Sequence, residues 1–498
     1  MHRRHFLHRT ALGTAGVALA PALLADPYAP LPRPALRPGR PVRVQGHVEA
    51  GGRGLPDVAV TDGRTIVTTD ASGDFSLVSD DRQPFVYLCL PDGYRIPQNR
   101  TGTARFYEPI RPDARGEARV LFLLDPDPIP AERHAFLVLA DPQTQDAYEM
   151  GLFHTETVPD VQQTVRDLGE RPVFGVACGD IMFDDLTLYP QYEEAVGKMG
   201  VPFFQVLGNH DLDFEGRSDE ASAQTFGRYF GPTYYAFDRG AVHYVVLDDV
   251  FWHGAGYIGY LDETQLHWLE QDLARIEAGR TVVVFVHIPA LSTRYRRAGE
   301  SRPAPSGSIT NREALYRLLE PYDAHIISGH THECEHVFEG GAHEHVVGAA
   351  CGAWWSGPIC YDGTPNGYAV FEADGEALRW RYKATGEPAD LQLRLYPRGA
   401  DPSAPDEIVA NVWDWDPDWM VTWFEDGEPR GPMARRTGTD PDAETLHRGD
   451  ALPLRRPWVE PVPTDHLFYA PVRPETREIR VEATDRWGRT YTAVLDAE

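Results

Sequence analysis

Ala324-His325-Ile326-Ile327-Ser328-Gly329-His330-Thr331-His332 decides the fold: an apolar, β-type run stops on a glycine and delivers two histidines to one place. Four more clusters of ligand-type side chains precede it, in the order Asp141-Pro142-Gln143, Gly179-Asp180, Gly208-Asn209-His210-Asp211 and His287. Each stands where a run of apolar or β-branched residues ends, which places the ligands on loops at one edge of a sheet. Strand-like runs at 136–140, 173–178, 203–207, 242–247, 282–286 and 325–328 alternate with helix-like segments at 158–168, 266–278 and 312–319. That alternation predicts an α/β layered core.

Two divalent cations roughly 3.5–4 Å apart need a bridging carboxylate, because a shared Asp offsets the repulsion between them. Asp180 is the natural bridge, and Gly179 lets the backbone turn tightly at the strand end. Asp141, Gln143 and His332 are expected on one ion, with Asn209, His287 and His330 on the other. His330 and His332 would share a face in a regular strand, so a turn must aim them at different ions.

These five blocks resemble the calcineurin-like metallophosphoesterase superfamily, whose pattern is Asp-x-His, Gly-Asp, Gly-Asn-His-Asp or Glu, a single His, and Gly-His-x-His. The resemblance covers about residues 134–350. It implies a four-layer α/β/β/α core over 134–362, a dinuclear metal-dependent phosphoric ester hydrolase, and in-line attack by a metal-bridging hydroxide. His210 is then the non-ligand that stabilises phosphoryl oxygens or protonates the leaving alkoxide, with Asp211 holding its imidazole. One departure stands out, since the usual His of Asp-x-His is Gln143 here. A neutral amide oxygen is a harder, weaker donor than imidazole, which favours Mn²⁺ over Fe or Zn at that position, unless Gln143 reaches a bound water instead.

Flanking the core, residues 42–125 show short alternating strands between Gly, Asp and Asn turns, a β-sandwich pattern that resembles the carboxypeptidase-regulatory-like module. Residues 366–498 read as a C-terminal all-β domain. Together with Gly352-Ala353-Trp354-Trp355-Ser356-Gly357, these flanks look like one bacterial subfamily of the same superfamily. Substrate-side candidates are Arg294, Tyr295, Arg296 and Arg297 on the loop after His287, and Trp354, Trp355, Tyr361 and Asn366 as a pocket wall. A solvated loop is the alternative for the first group.

The chain has 498 residues, 47 basic against 75 acidic, for a net charge of −28. Such a field repels polyanions, so no nucleic-acid duplex is expected as a partner. Arg3-Arg4-His5-Phe6-Leu7 with a mild apolar stretch over 11–25 reads as a twin-arginine export signal (1–25), followed by a Pro-rich linker (26–41). A periplasmic or extracellular protein is expected, with no transmembrane helix in the mature chain. Five cysteines are too few for a disulfide framework; Cys351 and Cys360 could pair or be buried thiols. The expected substrate is a phosphate ester, leaning to a phosphodiester or a phosphorylated glycan or lipid head group. A secreted phosphomonoesterase or nucleotidase scavenging phosphate is the competing reading, and a non-catalytic glycan-binding scaffold the third.

Overall fold

Two sheets face each other at the centre of the protein. In the computed structural model, which describes residues 39–496, a five-stranded sheet runs in the order Phe203–Val206, Val173–Cys178, Arg133–Leu139, Gly367–Asp374, Ala377–Ala384. A six-stranded sheet runs Tyr235–Arg239, Val242–Val246, Thr281–Phe285, Asp323–Ser328, Ala342–Val346, Glu335–Glu339. Period-two alternation sorts the side chains: Phe136 and Val138 point between the sheets, while Ala135, Leu137 and Leu139 face outward against helices. Phe136 stacks on Phe371 at 4.7 Å and Phe204 on Phe237 at 4.1 Å, so aromatic rings fill the space between the layers.

Helices cover both outer faces. Asp146 caps Ala147–Leu152 by accepting from the Tyr148 and Glu149 amides, and the chain continues through Val158–Asp167 against the first sheet. Asp262 caps Glu263–Leu273, which with Arg312–Leu319 buries Trp268, Leu269, Leu315 and Leu319 on the second. The expected α/β/β/α core is therefore present. One boundary is corrected: the hairpin Gly367–Ala384, expected in the C-terminal module, belongs to the core, because Gly367–Asp374 pairs with Arg133–Leu139 in the register Phe371↔Phe136. Its apolar alternation is the same in either sheet, so the boundary had no signature.

The N-terminal module consists of two four-stranded sheets built from Pro41–Ala50 through Glu117–Leu124. In it Asp70 accepts from the Ser72 and Asp74 amides, so this turn is structural. The C-terminal module is two further four-stranded sheets between Leu393 and Asp496. The signal over 1–25, and the linker up to residue 38, lie outside the described residues; Pro41, its expected last residue, opens the strand Pro41–Ala50. Among the described residues all five cysteines are buried and free, and no helix is long and apolar enough to cross a membrane.

Candidate metal centre

Every ligand cluster sits just beyond the C-terminal end of a parallel strand: Asp141 after Leu139, Asp180 after Cys178, Asn209 after Val206, His287 after Phe285, His330 after Ser328. Beyond the last ladder bond the backbone is free to curl. Asp141, Gln143, Asp180, His330 and His332 all adopt left-handed φ, between 40° and 69°. Such conformations cost of order 1–3 kcal/mol each for a non-glycine residue and cluster where side-chain aim matters more than comfort. Glycine permits the close approach of these loops: a Cβ on Gly208 would meet the Asp180 amide nitrogen at 1.8 Å, and one on Gly179 the His287 ring at 2.2 Å.

Three imidazoles are each anchored by one nitrogen to a main-chain carbonyl: His287 Nδ1 to Cys178 (3.1 Å), His330 Nε2 to Ser306 (2.8 Å), His332 Nδ1 to Gly352 (2.6 Å). A carbonyl only accepts, so that nitrogen carries the hydrogen and the other is presented to the cleft. His287 Nε2 lies 3.2 Å from Asp180 Oδ1, from Asn209 Oδ1 and from His330 Nδ1. His332 Nε2 lies 3.5 Å from Asp141 Oδ1, a buried oxygen with no hydrogen-bond partner. Its Oδ2 accepts from the His330 amide at 2.8 Å. Ring orientation fixed by a carbonyl behind, with carboxylates in front, is how histidine ligands are held, so the donor set fits a pair of divalent cations.

Electrostatics concur. Burial opposes charge on His287, but Asp180, Asp141 and Asp249 outweigh it and lift its pKa to about 10, whereas burial and the neighbouring His287 push His330 down to about 3. A proton on His287 and a cation beside it answer the same buried negative charge, so cation binding would expel that proton.

Several expected roles change. Gln143 turns its amide nitrogen to Asp180 Oδ2 (3.1 Å), while its oxygen faces Cys351 Sγ at 3.9 Å, so in this arrangement it orients the Asp180 carboxylate. Asp211 does not hold His210. It points back into the protein and accepts from the Ile181, Met182 and Gly208 amides and the Tyr189 hydroxyl, because consecutive turn residues cannot both face the cleft. The partner of His210 Nδ1 is Asp184, at 2.6 Å, and the ring stacks on Phe183 at 4.5 Å. Burial works against protonation of His210, yet Asp180 and Asp184 raise its pKa overall.

On the substrate side, Trp354 stacks on His332 (4.3 Å) and on Tyr361 (5.6 Å), as a wall residue should. Arg294 contacts Glu333 at 3.2 Å and the Tyr361 hydroxyl at 2.5 Å, with its side chain 44% exposed at the rim. Arg297 is corrected to a structural role: its side chain is 6% exposed and paired with Glu333 and Glu335. Trp355 is buried and donates to the Pro142 carbonyl, and Asn366 packs under Gly352, so both support loops. Tyr295 accepts a hydrogen bond from Arg296, its neighbour in the chain.

Sequence reading missed Arg456, which reaches across from the C-terminal module to Gln145 (2.8 Å) and Glu149 (2.9 Å) and covers the Phe183 ring at 5.3 Å. Three hundred residues of separation leave no local signal for it. A cavity of about 680 Å³ is lined by Asp62, Phe85, Asp219 and Asp262 among others and contains none of the ligands.

The family described as Calcineurin-like phosphoesterase matches residues 134–334, its N terminal residues 42–127 and its C terminal residues 344–491. Among curated relatives, Serine/threonine-protein phosphatase CPPED1 of Mus musculus is 30% identical over 138 residues, 26% of this chain and 43% of that protein. Its Homo sapiens counterpart is 26% identical over 45% of this chain and 72% of that protein. The chain thus spans less than half the length of the mouse relative it matches. Among solved structures, a purple acid phosphatase of yellow lupin is similar with a TM-score of 0.37 and 13% identity, over 66% of this chain and 67% of that one. With matches that follow one another from residue 42 to residue 491, the chain belongs to the calcineurin-like phosphoesterases, in the form that carries the family's N-terminal and C-terminal domains around the core.

Proposed function

We propose that this protein is an exported hydrolase of phosphoric esters that works with two divalent cations, its preferred substrate a phosphodiester or the phosphate of a lipid or glycan head group. The observation that carries the reading is the triplet of carbonyl-anchored imidazoles whose free nitrogens converge on Asp180 and Asp141. Cations held there would supply Lewis acidity, which lowers the pKa of water and neutralises charge on a phosphoryl group.

The chain's own residues do the rest. Asp180, oriented by Gln143 and by the His210 amide, is placed to be shared between two sites. Asp141 and His332 complete one, and Asn209, His287 and His330 the other. The first set is rich in oxygen, which supports manganese there. His210, partly open to the cleft and kept basic by Asp184, can hold a proton for a leaving alkoxide. Trp354 and Phe183 give the cleft apolar walls.

The diester or head-group preference draws support from the C-terminal loop around Arg456, which lies over the Phe183 ring and carries Leu452, Leu454 and Trp458, all exposed. The monoester reading draws support from the printed names of the mouse and human relatives, which are protein phosphatases. Export rests on Arg3-Arg4, and retention of an Arg3→Lys, Arg4→Lys variant inside the cell is its expected consequence. Purified protein should release nitrophenol from bis-p-nitrophenyl phosphate faster than from p-nitrophenyl phosphate, and only with Mn²⁺ or a similar ion. Turnover of neither ester with any divalent ion would overturn the assignment.

A further inference from the structure

Four histidines outside the catalytic cleft form a block on neighbouring strands. His343 and His345 lie two apart on Ala342–Val346, so they share a face; His325 is the register partner of His343, and His336 of His345. That face looks into the space between the two sheets, toward Trp380 and Phe371. His325 Nδ1 and His345 Nε2 are 3.0 Å apart, as are His336 Nδ1 and His343 Nε2. Ring nitrogens of His325, His343 and His345 all lie within 4.8 Å of one another, the same closeness found for Asp180, His287 and His330.

Hydrogen accounting shows what the block lacks. His336 Nε2 donates to Asp414 Oδ1 at 2.9 Å, so in its neutral form His336 Nδ1 accepts from His343 Nε2, which leaves His343 Nδ1 a bare lone pair. His345 Nδ1 and Asp414 Oδ2 are buried without any partner. A cavity of about 10 Å³, lined by Cys334, His336, His345 and Asp414 among others, lies beside them. Unpaired buried polar atoms are costly unless a proton, water or ion answers them. Arg486, close to the block, pairs with Asp416 and Asp418.

His243 provides the contrast. It too lies near ligand-type atoms, Cys89 and Asp238, but both its ring nitrogens face carboxylates, Asp238 at 2.9 Å and Asp272 at 2.8 Å, so no lone pair is left for a metal.

We infer that His325, His343 and His345, with His336 and Asp414 hydrogen-bonded beside them, form a metal site separate from the phosphoesterase centre, taking a divalent transition ion of imidazole preference, zinc first. Its role is structural, tying Asp414 of the C-terminal module to the catalytic sheet. Full-length protein stripped by chelator and reloaded with Zn²⁺ should bind one equivalent more than a His343→Gln, His345→Gln variant, by elemental analysis. His287→Ala should lose metal from the cleft yet keep that equivalent, which separates this site from the catalytic reading. Equal zinc in wild type and the double variant would overturn the proposal. Should the double variant not fold, zinc-edge anomalous scattering from wild-type crystals decides: a peak about 2.1 Å from three or more of these rings supports the site, and its absence there overturns it.

Discussion

The catalytic cluster spans the strand ends of both sheets and the four-histidine block lies on one of them; they share the strand Asp323–Ser328, yet they gather histidines in opposite ways. The cleft takes its ligands from strand ends, bends five non-glycine residues into left-handed backbone, and spends main-chain carbonyls to fix each ring. The block takes its histidines from mid-strand, where pleat and register alone bring them together without unusual backbone. Curled loops can be re-aimed one residue at a time and stay open to substrate. A strand face is closed and rigid, which suits a tie between modules better than turnover.

That division predicts a double dissociation. Asp180→Asn and His287→Ala should lower kcat/KM roughly 10³-fold, the equivalent of several kcal/mol of charge stabilisation, with only a small change in thermal midpoint. Substitutions in the four-histidine block should do the reverse. Steady-state kinetics and thermal unfolding on the same variants check both; equal losses of activity from the two regions would erase the distinction.

Within the cleft, the pair Asp184 and Asp211 sharpens the comparison further. His210→Ala should cost roughly 10²–10⁴-fold, most with poor leaving groups, if the ring supplies a proton. Asp184→Asn should reproduce part of that loss and move the alkaline limb of the pH–rate profile down in part, because one of the two carboxylates that raise His210 is gone while Asp180 remains. Asp211→Ala should instead unfold the protein more readily, by several kcal/mol at order of magnitude, since three amides and the Tyr189 hydroxyl lose their acceptor. A kinetic defect in Asp211→Ala with unchanged stability would restore the role first expected for it.

Gln143→His tests the smaller question of why this position departs from the family pattern. An imidazole there offers a nitrogen where the amide now faces Asp180, so metal affinity should rise about tenfold, measured by chelator competition. No change would mean that the Gln143 contact to Asp180 already does all that the position requires.

What the residues announced, and what they hid, follows the same line. Strand-end ligands were legible because apolar runs stop at them, and 173–178 and 312–319 were placed to the residue. The roles of Asp211 and Asp184 were hidden, since neighbours in a turn face opposite ways and nothing in Gly-Asn-His-Asp says which one turns inward. Arg297 reads as a surface arginine until Glu333 and Glu335, more than thirty positions later, close on it. The block at His325 and His343 was hidden for a converse reason: histidines inside a β-run look like ordinary strand positions, and only register brings them together.

His243 supplies the smallest and cleanest test, because it is the buried histidine whose two nitrogens both face carboxylates. Burial works against its charge, but Asp272 and Asp238 overcome it and lift the pKa from 6.5 to about 9. A histidine whose folded pKa is raised contributes stability in full below pH 6.5 and loses it as pH rises through about 9. Across that window the contribution should fall by at most about 1.4 kcal/mol per pH unit, the linkage limit for one proton. Other buried acids also titrate there, Glu344 with a pKa pushed up to about 8 by burial among them, so the difference between wild type and His243→Gln is what isolates the effect. The two unfolding free energies, measured in denaturant from pH 6 to 10, should converge as pH rises. Parallel curves would mean that the ring is neutral in the fold, and would return His243 to the class of histidines with a lone pair to offer.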